Sequence, residues 1–216
     1  MKKIASPLFQ DLSEAELDTL AAAGHLRTRQ FAKHEVIFHA GSCVREIGIV
    51  LRGSVHIENL DLWGTKSILS SVGVGQAFAE TYAFCGEALM VDAVAAEHCE
   101  ILFLHTAALT DARIEPALQD KLLRRLLAVS MRKNLSLSQR IFCTTPKTVR
   151  GRLLTYFSAQ AARCGRMEFE VPFNRQQMAD YLNLDRSALS KELCKMRDEG
   201  LLEFDKNRFV LKQLPE

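Results

Sequence analysis

The sequence lacks the marks of an enzyme, a secreted protein or a membrane protein. It has no HExxH, GxSxG, P-loop or GxGxxG, so no catalytic constellation stands above background and an enzyme is not expected. The cysteines at 43, 85, 99, 143, 164 and 194 include no Cys-x-x-Cys pair. They read as reduced thiols rather than a disulfide framework or a zinc site. No apolar run approaches the roughly 20 residues that span a bilayer. Two lysines open the chain, but no apolar core of a secretory signal follows them. A cytoplasmic protein without a membrane partner is expected.

What is present suits a two-part globular chain. The 48% apolar content of the 216 residues is enough for real cores and excludes global disorder. Residues 1–110 hold 8 Lys/Arg against 13 Asp/Glu, and residues 111–216 hold 20 against 13. A basic C-terminal half beside an acidic N-terminal half fits a DNA-binding domain joined to one that avoids polyanions.

The periodicity divides the chain further. Ser13 is placed to cap a short helix over Glu14 to Ala23. Short β runs follow between Leu26 and Leu104, including 36–38, 47–51, 54–60, 66–72, 91–95 and 100–104. Gly41-Ser42, Arg52-Gly53, Trp63-Gly64 and Gly73 to Gly75 supply turns. Many short strands with Gly-rich turns predict a β-roll or jelly roll. Residues 116–142 read as one long helix. Its apolar positions include Leu118, Leu122, Leu123, Leu126, Leu127, Met131, Leu135, Leu137 and Ile141, too many for a single face. One side is expected to pack on its own domain and another on a second copy in a coiled-coil-like seam. Thr144-Thr145-Pro146 breaks the run as a hinge. The expected fold is α+β: a sensor roll (1–115), a central dimerisation helix and hinge (116–145), and a winged helix-turn-helix (146–216).

The most specific stretch is 173–211, FNRQQMADYLNLDRSALSKELCKMRDEGLLEFDKNRFVL. Asn174 with Gln177 makes a capping-box pair, and Asn183-Leu184 supplies the turn. Asp185 caps a second helix, and Gly200 ends it. Ala188, Leu189, Leu193 and Met196 face the core, while Arg186, Ser187, Ser190 and Lys191 face away. A strand, turn and strand over 203–211 make a wing. A recognition helix offers the residues near its N-terminus to base edges in the major groove. Arg186 is the candidate for a bidentate guanine contact. Ser187, Ser190 and Lys191 complete the reading face, and Arg175 and Gln176 are further candidate DNA contacts.

RGSVHI (52–57), FAETYAF (78–84), TVRGRLL (148–154) and NRQQMADYLNLDRSALSKEL (174–193) resemble the CRP/FNR family of bacterial transcription regulators over nearly the whole chain. The resemblance implies a homodimer, effector sensing in the roll, and a DNA domain that reorients when the central helices shift. It also implies a pseudo-palindromic operator in double-stranded DNA, with half-sites about one helical turn apart. RNA polymerase would be a further partner of an activator, but no residue pattern marks that surface. Family members usually carry glutamate where this chain has Ser187, and often arginine where it has Lys191.

Cyclic-AMP-binding members have a Gly-Glu step, followed by an Arg-Ser pair that holds the phosphate. Here those positions are Ala79-Glu80 and Met90-Val91. Between Arg52 and Arg113 there is no arginine, and Lys66 is the one lysine. A buried phosphodiester without a cation is costly, so a cyclic nucleotide is not the expected effector. The family's base-contacting Thr-Ser pair on the central helix falls on Leu137 and Ser138. The expected pocket is apolar, formed by Phe78, Tyr82, Phe84, Met90, Val91 and Leu137, with Glu80, Tyr82 and Ser138 as polar groups. It either takes a small, mostly apolar effector or is filled by its own side chains. Glu80 has the alternative role of capping the short helix it opens.

No cofactor or metal is expected. The cysteines lack iron–sulfur spacing, and the six histidines form no haem motif. Thiol sensing through Cys43, Cys85 or Cys99, a haem-based sensor of the same fold, and a helix-turn-helix that binds protein are the rival readings.

Overall fold

The computed structural model describes residues 4–60 and 66–212, so the turn expected at Trp63-Gly64 lies outside the described residues. The chain divides between Arg132 and Lys133 into two units, each with its own core.

In the first unit, Ser13 and Glu16 form a reciprocal capping box that starts helix α1 (Glu14–Ala22). Eight strands follow: β1 (Leu26–Phe31), β2 (Val36–Phe38), β3 (Glu46–Arg52), β4 (Val55–Leu60), β5 (Lys66–Val72), β6 (Ala77–Phe78), β7 (Asp92–Ala95) and β8 (Cys99–His105). A short helix, α2 (Glu80–Cys85), stands between β6 and β7. The strands make two antiparallel four-stranded sheets, ordered β1-β8-β3-β6 and β2-β7-β4-β5. The β-roll expected from the sequence is present.

Strand β8 is buried on both faces, which is why its sequence reads as an almost unbroken apolar run. Cys99, Ile101 and Phe103 face a core shared with Phe31, Val50, Val55 and Phe78. Leu102 and Leu104 face a second core with Leu8, Leu17, Leu20, Leu118 and Leu122. The close fit of the inner core shows at Gly48. A Cβ there would lie 2.2 Å from the Phe78 ring, so only glycine lets β3 pass that ring.

Strand β1 was not among the runs picked out by periodicity. Its central residues, Arg27 to Gln30, are all exposed between buried Leu26 and Phe31, so the alternation is missing. It is an edge strand, and its charges protect that edge.

Helix α3 (Pro116–Thr144) runs two residues beyond the expected end and stops before Pro146. In the second unit, α4 (Val149–Cys164) starts after Thr148, which is its N-cap. A short strand, β9 (Glu168–Glu170), precedes α5 (Arg175–Leu182) and α6 (Arg186–Asp198). The wing is β10 (Leu202–Asp205) and β11 (Arg208–Leu211), which pair with β9 in the order β10-β11-β9. Leu153, Phe157, Met178, Leu189, Leu193, Met196 and Phe209 form the core beneath the helix-turn-helix.

Candidate nucleic-acid interface and effector groove

Local chemistry sets the helix-turn-helix. Asn174 and Gln177 cap α5 reciprocally, each accepting the other's backbone N–H at 2.9 Å. Asn183 takes the left-handed conformation, φ 53°, that ends α5. Asp185 then caps α6, accepting the amides of Ser187 and Ala188 at 2.7 and 3.0 Å. Gly200, at φ 75°, closes the far end. Its amide reaches Arg197 O, and the Leu201 amide reaches Met196 O, which is a Schellman motif.

Arg186 and Lys191 are exposed on α6, and their side chains make no hydrogen bond or ion pair among the described residues. Ser190 is half-buried between them. Ser187 is exposed, but its hydroxyl donates to the Asp185 carboxylate and belongs to the cap. Gln176 is exposed and donates to Asp180 at 2.9 Å. Arg175 is placed differently. It is half-buried, with its guanidinium 4.9 and 5.0 Å from the ring centroids of Phe204 and Phe209. Burial pulls its pKa below the usual arginine value. It braces the wing.

Much of the basic excess in this half is structural. Arg150 pairs with Glu192 at 2.6 Å and bidentately with Glu199 at 2.7 and 2.9 Å, fixing α4 to α6. These bonds raise the Arg150 pKa and lower that of Glu199. Arg208 pairs with Glu168 and Lys212 with Glu203. Sequence reading missed the Arg150 and Arg208 roles because those pairs lie 40 to 49 residues apart in the chain.

The residues expected to line one effector pocket divide between the two units, and those in the first unit differ in burial. Phe78 is buried in the roll interior, where its ring lies 5.8 Å from that of Phe38. Tyr82 is half-buried on α2, Val91 is half-buried, and Met90 is 77% exposed. Leu137 and Ser138 belong to the second unit and are exposed. The rings of Phe31, Phe38, Phe78 and Phe103 pack against one another in the roll interior. Glu80 is 5% exposed and opens α2, and Ala79 before it holds φ 62°, a backbone state that favours glycine.

Glu80 and Phe84 instead line an open groove of about 240 Å³ between α2 and the first half of α3. Thr81 and Cys85 complete the α2 side, and Leu123, Leu126, Leu127 and Ser130 form the α3 side. Its volume falls below the roughly 300–1,000 Å³ of ordinary ligand pockets. Of the cysteines considered for sensing, Cys99 is buried with its thiol directed at Ser54 O, while Cys43 and Cys85 are exposed.

The family model of a cyclic nucleotide-binding domain matches residues 28–113, and that of a Crp-like helix-turn-helix domain matches residues 151–216. The catabolite activator protein of Thermus thermophilus is similar in structure, with 25% identity over 96% of this chain and 94% of that one, at a TM-score of 0.50. This chain belongs to the CRP/FNR family. Two further CRP/FNR-like structures share the fold. FixK2 of Bradyrhizobium japonicum matches at 19% identity over 87% of this chain and 93% of that one, TM-score 0.52. CprK complexed with OCPA matches at 14% identity over 91% and 92%, TM-score 0.65. No curated protein sequence matches the chain. CRP/FNR regulators bind DNA through their helix-turn-helix and act as dimers. The chain is a transcription regulator with an effector-binding-like domain and a DNA-binding domain. Among the described residues no helix is long and apolar enough to cross a membrane.

Proposed function

We propose that the chain is a homodimeric, sequence-specific DNA-binding regulator whose DNA affinity is set by a small effector other than a cyclic nucleotide. The observation that carries the DNA reading is the unpartnered cationic pair Arg186 and Lys191 on a helix already capped at both ends. Arg186 is at the first helical position, where a recognition helix meets base edges. The protein acts in the cytoplasm, on double-stranded DNA, and catalyses nothing.

The dimer is supported by α3. Leu118, Leu122 and Leu126 are buried on the first unit's core. Leu123, Leu127, Met131, Leu137 and Ile141 remain 46–66% exposed. Leu123, Leu127, Ser130, Asn134, Leu137 and Ile141 alternate steps of four and three, the spacing of a two-stranded coiled-coil seam. A polar Asn134 in that seam would fix register. The groove beside Leu123 and Leu127 is continuous with the seam, so the second copy's helix would help wall it.

The effector reading rests on the apolar groove and on the absence of arginine between residues 52 and 113. CprK, which shares the fold, is complexed with OCPA. The mechanism is a population shift: the effector favours whichever dimer it binds more tightly.

The test is a native mass spectrum of protein purified without oxygen, followed by selection of binding sites from random duplexes. A dimer that selects a pseudo-palindrome supports the reading, and a discrete extra mass identifies the effector class. Leu127→Asp should yield monomers with weakened operator binding, since Leu127 is exposed and its loss leaves the core intact. A wild-type monomer, or a protein indifferent to duplex sequence, overturns the proposal. Arg186→Ala should cost roughly 1–3 kcal/mol on the selected site while sparing the salt-dependent affinity for random DNA.

A further inference from the structure

We propose that Arg140 and Arg152 are positioning residues for the recognition helix: together they cap the C-terminus of α5 and fix the turn from which α6 starts. The inference rests on the DNA-binding reading above.

A helix leaves its last four carbonyls without helical partners. At the end of α5, backbone amides of Asn183 and Leu184 reach Ala179 O, the Asn183 amide also reaches Asp180 O, and two guanidiniums bond the carbonyls that follow Ala179. Arg140, in the last turns of α3, donates from Nη2 to Asp180 O at 2.9 Å and from Nε to Tyr181 O at 3.0 Å. Arg152, in the first turn of α4, donates from Nη1 to Leu182 O at 3.1 Å and to Asn183 O at 2.7 Å. Arg152 also donates from Nε to Pro146 O at 2.8 Å. Every carbonyl from Asp180 to Asn183 is thereby held by a side chain from one side or the other of the hinge.

The arrangement suits positioning better than phosphate binding. Neither arginine pairs with a carboxylate among the described residues, and the donors named here are spent on backbone. Positive charge at a helix C-terminus is favoured by the helix dipole. A guanidinium holds several acceptors in a rigid fork, whereas a lysine is a single flexible point. Asn183 is three residues from Arg186, and Asp185 between them caps α6. The hinge at Pro146 therefore reaches the base-reading arginine through Arg152, the α5 terminus and the Asp185 cap.

The test uses the full chain and the operator selected by wild-type protein. Arg140→Gln and Arg152→Gln, with the corresponding lysine variants, are titrated with operator and with random duplex over a range of salt. The ratio of operator to random affinity is expected to fall at least tenfold in the glutamine variants. Random-duplex affinity and its salt slope should hold, and lysine should restore little. A simply destabilised protein would lose active fraction on both DNAs alike, leaving the ratio unchanged, and that result overturns the proposal. Equal losses with a salt slope reduced by about one per arginine would identify phosphate contacts and also overturn it. If Arg152→Gln fails to fold, Arg140→Gln, which leaves the Pro146 bond in place, decides the matter. A wild-type protein with no sequence preference would sink the DNA reading itself, whereas discriminating wild type with unaffected variants sinks only this inference.

Discussion

Ser187 donates its hydroxyl to Oδ1 of Asp185, the same oxygen that accepts the Ser187 and Ala188 amides. A hydroxyl committed to the cap is not free to read a base. Ser187→Ala is therefore expected to leave base preference across the half-site unchanged, within about twofold, while lowering stability by roughly 0.5–1 kcal/mol. Binding to a panel of single-base operator variants checks this. A changed preference at one base pair would return Ser187 to the reading face.

The same cap has an acid signature. The Ser187 hydroxyl, then the Ala188 and Ser187 amides, hold the Asp185 carboxyl below its ordinary value of 3.8. A depressed carboxylate contributes stability that is fully present above that value and is lost as pH falls below it. Asp185→Asn keeps a good N-cap at neutral pH but no longer titrates. Thermal midpoints of the two proteins should agree at pH 7, and the variant should lose less between pH 4 and pH 2. Parallel acid profiles would show that Asp185 takes no part in the acid transition.

In the roll, Gly48→Ala would place a Cβ 2.2 Å from the Phe78 ring. Overpacking of this kind costs about 1–3 kcal/mol. Adding Phe78→Leu to Gly48→Ala should recover part of the loss, because it removes the atoms that clash. Chemical denaturation of the two single variants and the double variant measures the coupling, and strict additivity would mean that the two positions do not meet.

Tyr156 is 2% exposed, and its hydroxyl has no hydrogen-bond partner among the described residues. Burial pushes the phenol well above its usual pKa. Tyr156→Phe removes an unsatisfied polar atom while keeping the ring that packs on Phe157, Phe173 and Tyr181. The variant should be as stable as wild type or more so, by up to about 1 kcal/mol. A loss greater than 1 kcal/mol would show that the hydroxyl has a partner in solution.

Legibility from the sequence followed the range of the interactions. Ser13, Asn174, Asp185 and Gly200 act within a few residues of themselves, and each has the structural role its type implies. Strands with regular alternation were readable, whereas β1, exposed along its middle, was not. The candidate site was legible only in part. Exposure of Arg186 and Lys191 follows from helical phase, but the wing-stacked position of Arg175 depends on Phe204 and Phe209, some 30 residues further along. Arg150 likewise reaches Glu192 and Glu199, 42 and 49 residues away, so its charge looks free in the sequence and is paired in the fold. Composition alone counted such arginines toward the nucleic-acid partner.

Strand β8 is a partition one strand thick. Its odd-numbered residues from Cys99 to Phe103 wall the roll interior, and Leu102 and Leu104 wall the helical layer that includes Leu118 and Leu122 at the start of α3. Interiors packed at crystal-like density transmit small displacements rather than absorbing them. A change of one methylene on the Phe103 side is expected to be felt by Leu102 and Leu104 across the same backbone, which makes β8 the shared septum between the two cores.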